Sequence, residues 1–330
     1  MSPDRRVVEA VLDSSARQYI VRPNMYRTLL RDLCFLSLLS MVCLVPACRK
    51  PQRSGIVIGS KFFTEQVILA ELLAQHIEAR TGIPVERKTN LGGTLLVHKA
   101  LLAGQIDLYV EYTGTALTAV LNEPPDRSSS AAGKGVSDPV YQRVKQLYAQ
   151  RFNLEVTEPL GFENTFAMVI RGEDANNFHV RTISDIVRYA PRWRVGVGYE
   201  FLERPDGFHG WTDFYHLQFA ETPRVMDLGL IYRALVDRQV DLVAGNSTDG
   251  LIDALNLVAL EDDRHYFPRY DAVPIIRKST LDRFPQLGAV LSELGGKISE
   301  SDIRKMNYAV DVTHRDAAVV VREFRATKGW

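Results

Sequence analysis

Aromatic and cationic residues stand at several places in the sequence where a short apolar run meets a loop. Tyr112, Phe166 and Tyr270 each lie at such a junction, in different thirds of the chain. Aromatic rings attract a quaternary ammonium group through their negative faces, so rings that meet in a cleft could bind this cation. Lys61 and Arg204 occupy similar junctions and could hold a carboxylate. Each residue also has a simpler interpretation, because single rings usually pack in a core and single cations usually lie on the surface.

The elements that must position these residues alternate between strand and helix patterns. Apolar residues at helical spacing predict a helix over 64–80, which Gly82 ends. β-rich runs predict strands at 56–58, 85–88, 106–110, 166–170, 194–198, 240–244 and 271–276. The alternation predicts parallel sheets, in which ligands collect at the carboxyl ends of the strands. Two α/β lobes with a cleft between them are the economical architecture.

Other candidates for chemistry are few. Gly92, Gly93 and Thr94 begin a predicted helix and could cradle an anion, but they match no Walker or dinucleotide motif, so a tight turn is the simpler interpretation. The seven histidines form no HExxH or HxH pattern, the three cysteines all lie near the N-terminus, and no GxSxG motif occurs. The sequence therefore predicts no metal site and no cofactor, and nothing in it demands catalysis.

The composition excludes several classes of protein. The 330 residues are 46% hydrophobic and 24% charged, with 40 basic and 40 acidic side chains. This balance argues against nucleic acid as the main partner, because phosphate binding needs a clustered basic surplus. The hydrophobic fraction argues against a disordered chain. A soluble globular body of about two domains fits the length.

The first 47 residues are predicted not to belong to that body. Residues 33–45 form an apolar run that follows two arginines and is too short to span a bilayer, as in a signal peptide. The run ends in Val-Pro-Ala-Cys, which resembles a bacterial lipobox, so we predict that Cys48 is lipidated. The alternative is a secretory signal that is cleaved nearby. We therefore expect an exported protein, periplasmic or at the cell surface, that a lipid anchors to a membrane.

Motifs along the chain resemble the substrate-binding proteins of osmoprotectant ABC importers, the glycine betaine, carnitine and choline family. The similarity extends from about residue 54 to residue 325. It is carried in order by GSKFFTEQ (59–66), LGGT (91–94), EYTGT (111–115), LGFEN (160–164), RPDG (204–207), STD (247–249), LEDD (260–263), PRYD (268–271) and MNY (306–308).

This resemblance implies an α/β fold, a two-lobed clamp of the type II periplasmic-binding class with two hinge crossings. Each lobe would be a mixed sheet flanked by helices. Lobe one would comprise 54–160 and 271–330, and lobe two would comprise 161–270. Residues 1–47 would be an N-terminal extension and signal peptide.

The resemblance also implies roles for single residues. Positions of an aromatic box around a trimethylammonium head are taken by Tyr112, Phe166 and Tyr270. Carboxylate-binding positions are taken by Lys61, Thr115 and Arg204. The chain departs from the family pattern at Phe166, where tyrosine is common, and at Asn246, where several members place another box tyrosine. We therefore expect a roomier, more polar pocket beside Asn246, and a preferred ligand larger than glycine betaine.

The function that follows is that of an extracytoplasmic solute-binding subunit of an ABC importer. It would capture a small quaternary amine or betaine-like zwitterion and deliver it to separate permease and ATPase subunits. Glycine betaine, carnitine, choline and a trimethylated histidine derivative such as ergothioneine all stay open as ligands. A deaminase of the porphobilinogen type would need a cofactor-bearing cysteine, which the mature chain lacks beyond its N-terminus. A solute-sensing domain that signals rather than transports is a third possibility.

Overall fold

A computed structural model gives the fold of residues 54–125 and 135–330. The predicted signal peptide and the predicted lipidation site, Cys48, lie outside these described residues. Within them, no helix combines the length and the apolar character that a membrane crossing requires.

The described residues form strands and helices that alternate along most of the chain. The strands are β1 (Ile56–Gly59), β2 (Val85–Lys88), β3 (Leu108–Tyr112), β4 (Leu154–Val156), β5 (Phe166–Arg171), β6 (Val195–Val197), β7 (Arg224–Val225), β8 (Leu242–Asn246), β9 (Leu257–Ala259) and β10 (Ala272–Arg277). The helices up to β6 are α1 (Thr64–Thr81), α2 (Thr94–Leu102), α3 (Thr113–Thr115), which continues as a π-helix (Ala116–Val120), α4 (Pro139–Phe152) and α5 (Gly172–Asn177). The later helices are α6 (Tyr199–Glu203), α7 (Phe208–Tyr215), α8 (Leu228–Val236), α9 (Leu251–Ala254), α10 (Lys278–Arg283), α11 (Leu287–Ser292), α12 (Glu300–Asp311) and α13 (Ala317–Lys328).

The first sheet has the strand order β2-β1-β3-β10-β4. Strand β1 pairs in parallel with β2 and β3, as the alternation of strands and helices predicts. Strand β10 instead runs antiparallel to β3 and β4. This strand enters the sheet from a different direction because it follows a return from the second sheet rather than a crossover helix. The sheet is therefore mixed, which confirms what the family resemblance implies, whereas the parallel sheet predicted from the alternation alone is wrong.

The second sheet repeats this plan with the strand order β7-β6-β8-β5-β9. Strand β6 is parallel to β7 and β8, whereas β5 is antiparallel to β8 and β9. Here β5 is the strand that arrives from the other sheet. Each sheet thus contains one interior strand that is antiparallel to both of its neighbours. The chain enters the sheet from the other sheet through this strand.

Two segments connect the sheets and lie side by side. The chain leaves the first sheet through residues 157–165 and returns to it through residues 260–271. The Asn164 N–H donates to the Tyr270 carbonyl at 3.0 Å, so the two segments are hydrogen-bonded to each other. Adjacent crossings of this kind allow two lobes to rotate about a short hinge.

Helix α1 shows how the predicted apolar stripe becomes core. Its buried residues include Leu69, Leu72, Leu73 and Ile77, the positions that the helical spacing selects. The helix ends at Gly82, which has a φ of 68°. Glycine adopts this left-handed conformation without strain because it has no Cβ. Helix α13 packs on the same helix and so covers this side of the first sheet.

Two predicted strands begin two residues too early. The apolar runs 106–110 and 240–244 predict strands, but β3 begins at Leu108 and β8 at Leu242. The first residues of each run are hydrogen-bonded to the end of the preceding helix instead. The Ile106 N–H donates to the Ala100 carbonyl, and the Val240 N–H donates to the Ala234 carbonyl. These bonds satisfy carbonyls that the helix end leaves free, so the ladder begins only afterwards.

Candidate ligand-binding site

All the residues that the sequence predicts to bind a ligand line one cavity between the two sheets. The cavity walls include Lys61, Tyr112, Thr115, Phe166, Arg204, Asn246 and Tyr270. Both sheets and both connecting segments contribute to these walls. The cavity has a volume of about 50 Å³, so little free space lies between these side chains.

Strand register brings residues from distant parts of the chain to this place. Phe166 begins β5 and lies opposite Asn246, which ends β8. Tyr112 ends β3 and lies opposite Ala272, the first residue of β10. Tyr270 precedes β10 by one residue and therefore arrives beside Tyr112. The cavity accordingly lies where four strand ends meet, as expected for a ligand site in an α/β fold.

The three predicted box rings are buried to different degrees. Tyr112 is 4% exposed and Tyr270 1% exposed, while Phe166 is half-buried. The centroids of Phe166 and Tyr270 are 5.9 Å apart, with the ring planes at 74° to each other. Phe63 stacks on the other side of the site against Tyr112, at 6.4 Å and 20°. Gly114 leaves room for the Tyr270 ring, because a Cβ at position 114 would lie 2.6 Å from that ring.

Arg204 is held by an acid before any ligand arrives. Its Nε and Nη2 donate to the Asp206 carboxylate at 2.9 and 2.6 Å, and its Nη1 donates to the Thr115 hydroxyl at 2.9 Å. The guanidinium carbon lies 4.9 Å from the Phe166 ring centroid and 5.8 Å from that of Tyr270. Asp206 thus occupies the Nε and Nη2 side of the guanidinium, and Thr115 lies at its Nη1 side.

Lys61 is also paired. Its ammonium group forms a buried ion pair with Glu111, and Lys61 itself is only 2% exposed. The same ammonium lies 5.2 Å from the centroid of the Tyr112 ring. Glu111 additionally accepts a hydrogen bond from the Tyr112 N–H at 2.8 Å. The cation that the sequence assigns to a ligand carboxylate therefore already has a carboxylate partner within the protein.

The Gly-Gly-Thr motif does meet an anion, and that anion is a side chain of this protein. The Thr94 N–H at the start of α2 donates to Glu200 Oε1 at 2.6 Å across the cleft. A Cβ on Gly93 would lie 2.6 Å from the same oxygen, so glycine allows the carboxylate to approach. Gly92 has a φ of 126°, which fits the tight turn that the sequence favours.

Asn246 stands between the ring cavity and a second cavity of about 240 Å³. The second cavity shares Phe62, Phe63 and Leu228 with the first. Its walls also carry four acids, Glu65, Asp227, Asp249 and Asp311. The Asn246 N–H donates to Asp249 Oδ2 at 3.0 Å, which keeps the Asn246 end of β8 beside this acid. Space beside Asn246 is therefore both larger and more polar than the ring cavity.

Burial changes the proton affinity of several groups around the cavities. Burial, aided by a neighbouring carboxylate, raises the pKa of Tyr112 and of Tyr270, so both phenols keep their protons as hydrogen-bond donors. Burial also raises the pKa of Asp249 to about 6, although the Tyr232 hydroxyl donates to its carboxylate at 2.5 Å. The Tyr270 hydroxyl donates to Asp206 at 2.5 Å.

Sequence reasoning missed the residues that support the predicted set. Phe63 and Glu65 belong to the quoted motif GSKFFTEQ, and Asp206 belongs to RPDG, but their motifs alone assign them no partner. Glu200 lies outside every quoted motif, so no sequence signal points to its contact with Thr94. Among residues 54–125 and 135–330, no cluster of three or more His, Cys, Asp or Glu side chains could hold a metal ion.

Two mixed sheets flanked by helices, joined by a pair of adjacent crossings, define a two-lobed binding protein of the type II periplasmic class. The family model for the substrate-binding domain of ABC-type glycine betaine transport systems matches residues 54–327. The chain belongs to that family.

Two relatives are about one third identical to this chain over the residues that align. The carnitine transport binding protein OpuCC of Listeria monocytogenes serotype 1/2a (strain 10403S) is 33% identical over 292 residues, which cover 87% of this chain and 91% of that protein. The ergothioneine transport permease/ergothioneine binding protein EgtU of Helicobacter pylori (strain G27) is 32% identical over 291 residues, which cover 88% of this chain and 50% of that protein. A solved structure of a glycine betaine/carnitine/choline ABC transporter has a TM-score of 0.69 and 32% identity, covering 83% of this chain and 98% of that one.

Proposed function

We propose that this protein is the solute-binding subunit of an ABC importer for a small quaternary amine or betaine-like zwitterion. The observation that carries the proposal is the convergence of three aromatic rings and two cations on one cavity between the sheets. Rings supply negative faces for a trimethylammonium group. The cations supply donors for a carboxylate at the other end of a zwitterion.

Binding would couple to closure of the two lobes. We place the lobe boundaries at 161 and 270, as the resemblance implies, so that Tyr112 and Thr115 belong to lobe one and Phe166 and Arg204 to lobe two. A ligand that contacts both sets favours the closed form by its differential affinity for that form. The Arg204–Thr115 hydrogen bond already joins the two sets at 2.9 Å and would be shared with the ligand carboxylate.

A separate permease and ATPase would read the closed form and carry the ligand across the membrane. Substrate-binding proteins of ABC importers work outside the cytoplasm, which agrees with the predicted export of this chain. We further propose that Cys48 carries a lipid that tethers the protein to a membrane. Replacing Cys48 by Ala should move the protein from the membrane fraction to the soluble fraction. A variant that stays membrane-bound would contradict the lipidation.

A ligand longer than glycine betaine is the second candidate, and the cavity beside Asn246 favours it. Its acid-lined walls suit a ligand that carries hydrogen-bond donors next to the trimethylammonium group, such as ergothioneine. Replacing Asn246 by Tyr would put a ring between the two cavities and shift preference towards glycine betaine. Unchanged relative affinities for the two ligand sizes would show that this position does not set the choice.

Calorimetric titration of the purified protein with glycine betaine, carnitine, choline and ergothioneine tests the proposed function. We expect at least one of these ligands to bind and to raise the temperature of unfolding. A protein that binds none of them, while giving a cooperative unfolding curve, would contradict the proposal.

A further inference from the structure

A buried carboxylate lies directly behind one ring of the cavity. Glu65, in the first turn of α1, is only 2% exposed. Its Oε1 accepts hydrogen bonds from the Tyr112 hydroxyl at 2.6 Å and from the Asn164 amide at 2.9 Å. Its Oε2 accepts from the Thr248 hydroxyl at 2.5 Å and from the Asn307 amide at 2.9 Å. All four donors are neutral.

Both carboxylate oxygens of Glu65 are fully occupied as hydrogen-bond acceptors. Four donors converge on two oxygens, so a carboxyl proton would have to displace one of them. The N-terminal turn of a helix further favours a negative charge at this position. Within the described part of the chain, Glu65 is held by hydrogen bonds without an ion pair. Its charge is therefore not offset by a neighbouring cation in direct contact.

The acid behind a second ring provides a contrast. Tyr270 donates to Asp206 in the same way that Tyr112 donates to Glu65. Asp206, however, forms an ion pair with Arg204 at 2.6 Å, so its negative charge is offset. Of the two carboxylates behind the rings, Glu65 is thus the one whose charge a ligand cation would sense more fully.

We propose that Glu65 makes the cavity selective for positive charge by acting through Tyr112. A phenol that donates to a carboxylate gains electron density, so the ring face becomes more negative and attracts a cation more strongly. The carboxylate also attracts the cation directly through an interior of low dielectric constant. Glu65 lines the second cavity rather than the ring cavity, so it tunes the ring without being placed to touch the head group.

The consequence is selection by charge rather than by shape. A trimethylammonium group and a tert-butyl group have nearly the same size and differ mainly in charge. The rings would bury either group and already favour the charged one through their negative faces, and Glu65 adds to that preference. This inference rests on the proposed function, because it requires that the cavity receives a quaternary ammonium group.

Neutral-carbon isosteres provide the test. Calorimetry would compare choline with 3,3-dimethylbutan-1-ol, and glycine betaine with 3,3-dimethylbutanoate, on wild type and Glu65→Gln. We expect the preference for the ligand with the trimethylammonium group, in each pair, to fall about tenfold in the variant. Tyr112→Phe keeps the ring and removes only its hydrogen bond to Glu65, so it should lose part of the same preference. It also serves if Glu65→Gln does not fold.

Tyr215→Phe is the matched control. Tyr215 also donates to a carboxylate, that of Asp262, and lines neither the ring cavity nor the second cavity. Removing its hydroxyl should leave the charged-to-neutral preference at the wild-type value. Two outcomes would overturn the inference and leave the proposed function standing. One is an equal loss of affinity for the trimethylammonium and tert-butyl ligands in Glu65→Gln, and the other is an unchanged preference between them in Tyr112→Phe. A wild type that binds no quaternary amine would overturn both the inference and the proposed function.

Discussion

At the scale of single residues, both cations of the candidate site are already paired with carboxylates of the protein. Lys61 has Glu111 as its partner and Arg204 has Asp206. Pairing reduces the cost of burying each cation and fixes its orientation before the ligand binds. A ligand carboxylate would therefore join an existing network rather than meet a free charge. This arrangement makes the geometry of the donors more important than their charge.

Replacing Arg204 by Lys tests that geometry. The guanidinium holds Asp206 on one side and Thr115 on another, which an ammonium group cannot do simultaneously in the same plane. We expect the variant to lose at least about tenfold more affinity for glycine betaine than for choline, which has no carboxylate. Calorimetry with both ligands measures the difference. Equal losses would assign Arg204 to the structure of its loop.

Tyr270 can be tested by separating its ring from its hydroxyl. Tyr270→Ala removes a buried ring face, and a desolvated cation–π contact is worth about 2 kcal/mol, so affinity should fall about thirtyfold. Tyr270→Phe keeps the face and loses only the hydrogen bond to Asp206. It should therefore bind much more tightly than the alanine variant. Equal affinities of the two variants, with normal unfolding curves, would show that the ring does not contact the ligand.

At the scale of elements, helix α2 and helix α6 meet across the cleft through a carboxylate. Glu200 in α6 accepts a hydrogen bond from the first N–H of α2, where the helix leaves its N–H groups without intrahelical partners. Gly93 leaves the space that this approach needs. Because the contact joins the two elements across the cleft, it favours the arrangement in which they lie together.

Glu200→Gln should weaken closure, because it removes the charge that the first N–H of α2 meets. Glu200 also lines the ring cavity, so the open fraction has to be measured as well as the affinity. A hydrogen bond to a charged acceptor at a helix N-terminus is worth about 1 kcal/mol, so we expect about a fivefold loss of ligand affinity. Small-angle scattering should show a larger open fraction at subsaturating ligand. Glu203→Gln is the control, because Glu203 lies on the same helix and is exposed. Identical losses in the two variants would mean that surface charge, not the contact with α2, is responsible.

At the scale of the whole molecule, acids gather beside the hinge, where the two connecting segments and both sheets meet. Glu65 there collects donors from segments as far apart as Tyr112 and Asn307. Asp249 lies in the adjoining cavity with a pKa raised by burial to about 6. Stability near the hinge should therefore depend on pH in a mildly acidic range.

Asp249→Asn measures that dependence. The ordinary pKa of Asp is 3.8 and burial raises that of Asp249 to about 6, so the folded state binds the proton more tightly than the unfolded chain. Acidification from pH 7 to pH 4 should thus stabilise wild type relative to the variant, by at most about 3 kcal/mol. Thermal unfolding across this range gives the comparison. Asp253 is exposed, so Asp253→Asn is the control and should follow the wild-type stability across this range. The same pH-dependent difference from wild type in both variants would contradict the assignment to Asp249.

Seven of the ten strands in the described residues, helix α1 and the set of ligand-contacting candidates follow from local patterns and from motifs. The stripe of α1 and the turn at Gly82 depend on residues near one another in sequence, so periodicity predicts them. The aromatic and cationic candidates, such as Tyr112 and Arg204, lie within quoted motifs and line one cavity. Ligand contact by these residues stays a prediction.

Tertiary structure alone decides which partner each candidate meets. Glu200 reaches Thr94 across 106 positions of sequence, and Glu65 reaches Asn307 across 242. No local pattern encodes such pairs, because they depend on how two sheets close on each other and on the register of strands that arrive from the opposite sheet. The same cause makes the sheets mixed, since a strand that returns through the hinge enters against its neighbours. The motif resemblance predicts this mixture, whereas the local alternation of strands and helices does not. The sequence thus determines which side chains are available, and the packing of the two lobes determines which groups lie beside each of them.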